Sequence, residues 1–351
     1  MELSSIKFNF LKVLTDDTGL LQHSKYSTPY RKEGYATDDN ARALMACAKY
    51  FILSKDLSIK KLIDIYLSFL CYMQRTDGRM HNFLSYNRQF LDKIGSEDSM
   101  GHTLWACGFC VSPLCPQEMR LVSKEIFDRL FAWVPTFTSP RAKAAAIMGL
   151  FHYMQAYPED TNAYLNMKTL GNQLIRIFED ESSNEWEWFE PYLTYVNGRI
   201  SNALFQAFKC TKEKNFLDVA IRSLNFLLKV HMIDDIFVPI GNKGWYKKGS
   251  RRALYDQQSI EASCMTEATV EAFRCTGSKT YLETAINIFG WFSGRNTKGL
   301  SVYDPTTGSC YDAITPMGIN LNKGAEANVS YLLARLNFEE APFLINKELI
   351  Y

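Results

Sequence analysis

Histidine is scarce in this chain, five in 351 residues, so a mechanism built on several imidazoles has little to draw on. Excess charge of either sign is missing too. Thirty-nine Lys+Arg against 38 Asp+Glu leave +1, with no basic stripe of the kind that neutralising nucleic-acid phosphates requires. Nucleic acid and an anionic membrane are set aside as partners. No window approaches roughly 18 uninterrupted apolar residues. The opening MELSSIKFNFLKVL lacks a charged start, a continuous apolar stretch and a small-residue cleavage site, so a cytoplasmic protein is expected. Nine cysteines, an odd number, fall mostly within helical patterns, and Cys107-Gly108-Phe109-Cys110 has no second pair for zinc and no βαβ context for redox work. Core thiols are expected, not disulfides. There is no glycine-rich loop with parallel βαβ patterning for a sugar nucleotide, and no Arg/Lys cluster with glycines to favour phosphorolysis. The acids Asp38, Asp39, Glu97 and Asp98 lack EF-hand spacing. No metal and no cofactor is expected.

What the chain has is helical periodicity almost throughout, with 47% hydrophobic and 22% charged residues, the balance of a globular all-α protein. Two kinds of helix alternate. One opens near Asp39, Ser99, Arg141, Gly198, Gln257 and Gly324 and is rich in small residues: Ala41, Ala43, Ala46 and Ala48, then Ala142, Ala144, Ala145 and Ala146. Small side chains let helix axes approach closely, as an inner ring demands. The other kind, about 58–75, 116–133, 160–182, 213–232 and 278–294, is conventionally amphipathic and reads as an outer layer. Connections from outer to inner helices are mostly long and polar, and the reverse ones mostly short. The long loops therefore belong at one end. With a twelfth helix from segment 4–15 or 338–350, the pattern predicts a single domain over 1–351, a six-hairpin (α/α)6 toroid. An open solenoid is the rival, disfavoured because no repeat consensus appears.

The candidate site residues lie at the inner-helix starts. The first reads Thr37-Asp38-Asp39-Asn40-Ala41-Arg42, more acid and amide than capping needs. The second carries Glu97 and Asp98. The run from Glu185 to Tyr195 packs three acids and five aromatics into eleven residues around Pro191. Aromatic faces stack on pyranose rings while carboxylates and amides bind hydroxyls, so Trp186, Trp188, Tyr192, Tyr195, Asn197 and Arg199 are candidate sugar contacts. Asn242, Trp245, Tyr255, Gln257, Gln258 and Glu261 extend the set, Gln258 and Glu261 sharing a helix face. Glu326 stands in the first turn of the last inner helix.

These residues carry a resemblance. TDDNARAL, GSEDS with HTLWA, SPRA, EWEWFEPYLTYVNGRI, GNKGW, YDQQSIEA and YDPTTGSCYD with NLNKGAEA resemble a group of bacterial six-hairpin carbohydrate-associated proteins. That group occurs alone or fused behind a glycosyltransferase domain, and the likeness runs from about residue 19 to 335. It implies the toroid fold, a sugar or oligosaccharide ligand, and a glycosyltransferase or other carbohydrate enzyme as a candidate partner. This chain departs from the group's pattern at Pro191, Gly198 and Ser259.

The leading expectation is an inverting glycoside hydrolase on an oligosaccharide, because glycosidic cleavage needs two carboxyl groups flanking the bond. Glu190, among aromatics, is the expected acid, and Asp39, at a helix N-terminus beside Arg42, the expected base. Asp38, Glu97 and Asp256 are the alternatives. A sugar epimerase or isomerase on the same fold, or a non-catalytic glycan-binding or partner module, are the competing readings.

Overall fold

The protein's structure is a computed structural model and describes residues 5–340. Its helices are α1 (Asn9–Leu14), α2 (Thr37–Ser54), α3 (Lys60–Met73), α4 (Glu97–Cys110), α5 (Gln117–Phe131), α6 (Pro140–Ala156), α7 (Thr161–Glu181), α8 (Gly198–Thr211), α9 (Lys214–His231), α10 (Ser259–Thr276), α11 (Lys279–Phe289) and α12 (Ala325–Glu339). The small-residue helices pack in the order α2, α4, α6, α8, α10, α12, and α12 returns to α2. The ring closes, so the fold is an (α/α)6 toroid and the solenoid alternative falls. The outer helices α3, α5, α7, α9 and α11 lie against their inner partners, and α1 packs on α12 as the twelfth. Beyond Glu340 the other candidate for that place, segment 338–350, lies outside the described residues.

Composition explains the two layers. Residues Arg141 to Leu150 of α6 are buried on every side of the helix, as a ring helix enclosed by neighbours must be. On α3, by contrast, Leu62, Ile63, Tyr66, Leu67, Phe69, Leu70 and Met73 form a buried stripe while Lys60, Lys61 and Asp64 face water. The nine cysteines are free thiols; six are buried, whereas Cys71 is exposed on α3, against expectation.

Long loops gather at one end and are stitched to one another by short antiparallel pairs. Tyr35–Ala36 pairs with Phe83–Leu84, Tyr192–Leu193 with Tyr246–Lys247, and Gln257–Gln258 with Ala313–Ile314. The seam between first and last loops is closed by Ala325 N–H to the Gln22 carbonyl (2.9 Å), Tyr26 N–H to Asn322 Oδ1 (2.9 Å) and Lys323 N–H to Ser24 Oγ (2.8 Å). Among the described residues, no helix is long and apolar enough to cross a membrane.

The tightest inner contact is between α4 and α6. A Cβ on Gly108 would lie 2.3 Å from the Gly149 carbonyl oxygen, and one on Gly149 would lie 2.7 Å from that of Leu104. Alanine adds about 1 kcal/mol of helix propensity, so a net loss isolates the clash. Gly108→Ala is expected to destabilise by about 1–3 kcal/mol in urea unfolding; a gain of about 1 kcal/mol, the bare propensity difference, would show that these backbones are not in contact.

Candidate active site

Ring closure brings the first turns of α2 and α12 side by side, and one guanidinium serves both. Asp38 and Asp39 stand four and three residues before Arg42, on its face of the helix. Arg42 Nη2 lies 2.7 Å from Asp39, 3.3 Å from Asp38 and 4.0 Å from Glu326. Arg42 is 1% exposed. Three carboxyls thus face one buried cation. Burial pushes the Asp39 carboxyl well above the usual carboxylate range, the charges of Asp38 and Glu326 add to this, and Arg42 opposes it. Glu326 is hemmed in by protein yet leaves 44% of its side chain open to the mouth. Its surroundings also raise it, with Arg42 opposing and Asp38 and Asp312 adding. Asn40 contributes nothing to this cluster: it is buried and ties α2 to Leu20 and Ala36.

Across the ring, α6 opens with Arg141 in its first turn. Its Nη1 pairs with Glu190 Oε2 at 2.7 Å, Nε donates to the Tyr195 carbonyl at 2.8 Å, and Nη2 donates to Thr194 Oγ1 at 2.7 Å and Asn197 Oδ1 at 3.4 Å. One side chain thereby fixes the turn from Glu190 to Asn197. The Tyr195 hydroxyl donates to Asp98 Oδ2 of α4 at 2.6 Å, and its ring lies 6.3 Å from that of Trp245. Tyr192 and Tyr195 are 39% and 40% exposed, so with Trp245 they offer aromatic surface at the mouth.

Other expected contacts lie elsewhere. Trp186 and Trp188 are 4% and 0% exposed; a loop this rich in aromatics plugs the space over the outer helices. Trp186 packs edge-on to Phe226 and Tyr246 and donates to the Glu190 carbonyl, while Trp188 packs on Phe189. Neither faces the mouth. Glu97 spends both oxygens on the start of α6, Oε2 accepting from Thr138 N–H (2.8 Å) and Ser139 N–H (2.7 Å) and Oε1 from the Thr138 hydroxyl (3.0 Å), and Asp98 is the acid turned towards Tyr195. Glu187 points outward to Arg222. Gln257 is buried between the Leu254 carbonyl, Thr297 and Trp291. Asn197, Arg199 and Glu261 are buried as well. Gln258 pairs with Ala313, Asp256 with Lys243 at 3.2 Å, and the Asn242 N–H donates to the Asp256 carbonyl. Tyr255 lies half-buried beneath Lys298. These last residues form one rim of the mouth. At another edge, His23, Ser24, Lys25, Tyr30, Glu33 and Asn322 line an open depression of about 510 Å³.

Four of the five histidines are withdrawn from the mouth. His102 Nε2 is engaged by Arg199 in the interior, and burial together with Arg199 and Arg42 holds the ring neutral. His81 is sandwiched between Asp92 and Phe90. Burial pushes His152 and His231 down to about 3. Only His23 is exposed at the rim among the described residues. The role of Arg141, which is not among the expected site residues, has a sign in the sequence. A cation in the first turn opposes the helix dipole, so it needs an acidic partner, and the mouth supplies Glu190.

Folded-state values raised above the ordinary carboxyl range, as at Asp39 and Glu326, mean stability that is present at low pH and lost as pH rises through those values. Removing the cation raises them further. Arg42→Met is therefore expected to lose about 3–5 kcal/mol in urea unfolding near pH 8 and clearly less near pH 5.5. Equal losses at both would show that Arg42 does not hold this cluster.

No family model matches the chain, and no curated protein matches it. Solved structures do match its fold. A D-mannose isomerase superposes with a TM-score of 0.74 at 13% identity, covering 96% of this chain and 95% of its own. A cellobiose 2-epimerase from Bacillus thermoamylovorans gives 0.71 at 11%, covering 93% and 95%. A GH76A α-1,6-mannanase from Salegentibacter gives 0.65 at 11%, covering 94% and 95%. The chain has the (α/α)6 toroid fold in common with all three.

Proposed function

We propose that the chain is a carbohydrate-active enzyme and, more finely, an inverting glycoside hydrolase acting on an oligosaccharide at the mouth of the toroid. One observation carries this reading: carboxyls on opposite sides of the mouth sit in opposite electrostatic settings. In a ring of six, α6 and α12 are three places apart, so Arg141 with Glu190 faces Glu326. On the α12 side, Asp38, Asp39 and Glu326 share Arg42, and burial with the neighbouring negative charges raises the Asp39 and Glu326 carboxyls, which favours their protonated forms. On the α6 side, Glu190 has a guanidinium at 2.7 Å, the partner of a carboxylate. This reverses the assignment expected from sequence neighbours, which made Glu190 the acid and Asp39 the base.

In this reading Glu326, the accessible member of its cluster, protonates the glycosidic oxygen as the C–O bond breaks, with Asp39 as the neighbouring proton store. Glu190 accepts a proton from a water that attacks the anomeric carbon from the other face. Inversion requires the two carboxyls to leave room for that water, roughly 6.5–9.5 Å. Tyr195, Tyr192 and Trp245 supply the stacking surface, and Asp98 orients Tyr195. The solved structures of similar fold support a sugar substrate by their names alone, an isomerase, an epimerase and a mannanase.

A second reading, a sugar epimerase or isomerase, is favoured by the higher TM-scores of the isomerase and epimerase, 0.74 and 0.71 against 0.65. There the same carboxyls would move a proton at a carbon beside a carbonyl. With four histidines withdrawn, an imidazole-based version of it would have only the exposed His23 to use at the rim.

Incubation with panels of oligosaccharides and of reducing monosaccharides, followed by product analysis, separates the readings. Hydrolysis predicts new reducing ends, and Glu326→Gln and Glu190→Gln each lowering turnover by about 10²-fold or more with the fold intact. Interconversion of monosaccharides without new reducing ends would establish the second reading. Sugar binding without turnover would leave a glycan-binding module.

A further inference from the structure

Glu261 opens α10 but is 1% exposed, so it does not bind hydroxyls at the mouth as its helix position suggested. Its Oε1 accepts the Val196 backbone N–H, and its Oε2 accepts from Asn197 Nδ2 at 3.1 Å. Asn197 Oδ1 in turn accepts from the Thr194 N–H at 3.2 Å and from Arg141 Nη2 at 3.4 Å. One buried carboxyl thereby anchors the turn that carries Tyr195 and, through Asn197, braces Arg141. On its other side stands His231 of α9, whose Nε2 lies 3.9 Å from Glu261 Oε2. His231 Nδ1 is 2.8 Å from the Leu227 carbonyl oxygen. That nitrogen therefore carries the hydrogen, and Nε2 is a lone pair. This Nε2 is buried and without a hydrogen-bond partner. A lone pair with no donor, beside a carboxyl, is a place for one proton.

We propose that Glu261 is a buried proton switch that positions the Thr194–Asn197 turn at the mouth. Ionised, it accepts from both Val196 and Asn197. When it takes a proton from solvent on Oε2, the new O–H donates to His231 Nε2 and Oε2 releases Asn197 Nδ2. The consequence for catalysis rests on reading the mouth as the active site; the switch itself does not.

The groups facing Glu261 keep one form across the neutral range. Burial and the charge of Arg252 hold His231 down at about 3, so its Nε2 remains an acceptor. Burial pushes the Cys264 thiol, one turn along α10, well up, so it stays protonated. Arg141 and Arg252 remain guanidinium. Glu261 itself is pushed up to about 7 by burial, against the hydrogen bonds from Asn197 and Val196 and the charge of Arg141.

Amide hydrogen exchange on the full chain, without ligand and corrected for the intrinsic pH dependence of exchange, tests this. Protection at the Val196 amide, whose N–H is held more weakly by the neutral acid than by the carboxylate, and at the Asn197 side-chain amide, which the protonated acid releases, is expected to rise about fivefold or more between about pH 6 and pH 8. In Glu261→Gln the side-chain amide donates to His231 Nε2 as the protonated acid would, so protection stays at the low-pH level throughout. His231→Phe keeps the stacking on Phe237, at 5.4 Å, but removes the acceptor, and moves the midpoint to lower pH. A flat wild-type profile, a profile unchanged in Glu261→Gln, or a midpoint unmoved in His231→Phe would each overturn the proposal. Because exchange needs no substrate, failure here is distinguishable from failure of the sugar panels.

Discussion

Closure of the inner ring is the constraint on which everything else in this molecule depends. Six helices enclose a common axis only if they approach closely, and the alanines and glycines of α2, α4, α6 and α8 make that approach sterically allowed. Closure points all six inner N-termini at one end. Loops from neighbouring hairpins are then close enough to pair as short strands, and acids separated by nearly the whole chain, Asp38 and Glu326, come to share Arg42. The site is a product of topology before it is a product of any motif.

Concentrating charge in so narrow a space divides it by local partner. Carboxylates suit helix N-termini, whose unsatisfied N–H groups favour them, and Glu97 and Asp98 conform. Arg141 and Arg199 do not, each standing in a first turn against the dipole. Arg141 is compensated by Glu190 and by the carbonyls and hydroxyl of the turn it holds; Arg199 leans on the Trp105 ring at 4.8 Å and on His102. Arg42 is shared among three carboxyls, and burial with the like charges beside it raises the Asp39 carboxyl, whereas Glu190 pairs with Arg141 at 2.7 Å; in the proposed reading one side of the mouth holds a proton and the other a carboxylate. Hydrolysis and proton transfer beside a carbonyl both begin from such a division. The fold alone therefore does not choose between them.

The ring and its layers were legible in the sequence because they rest on local signals. Helical period, runs of small residues and loop length located every inner-helix start to within about two residues. The direction of side chains in loops was not legible, because tertiary packing decides it. Trp186 and Trp188 read as sugar platforms, yet their neighbours Phe226 and Phe189 draw them inward, leaving Tyr192 and Tyr195 outside. Glu97 and Asp98 are adjacent and chemically alike; only the position of α6 shows that the first caps a neighbouring helix while the second meets Tyr195.

The claim that Asp39 belongs to a proton-holding cluster is open to direct observation. Carbon-13 carboxyl NMR on aspartate-labelled protein, with the Asp39 resonance assigned by its loss in Asp39→Asn, follows this one group from about pH 5 to pH 9. The account predicts that Asp39 still has the chemical shift of a protonated acid near neutral pH, far above the range of an ordinary aspartate. An Asp39 resonance already at its fully ionised position near pH 5 would contradict it.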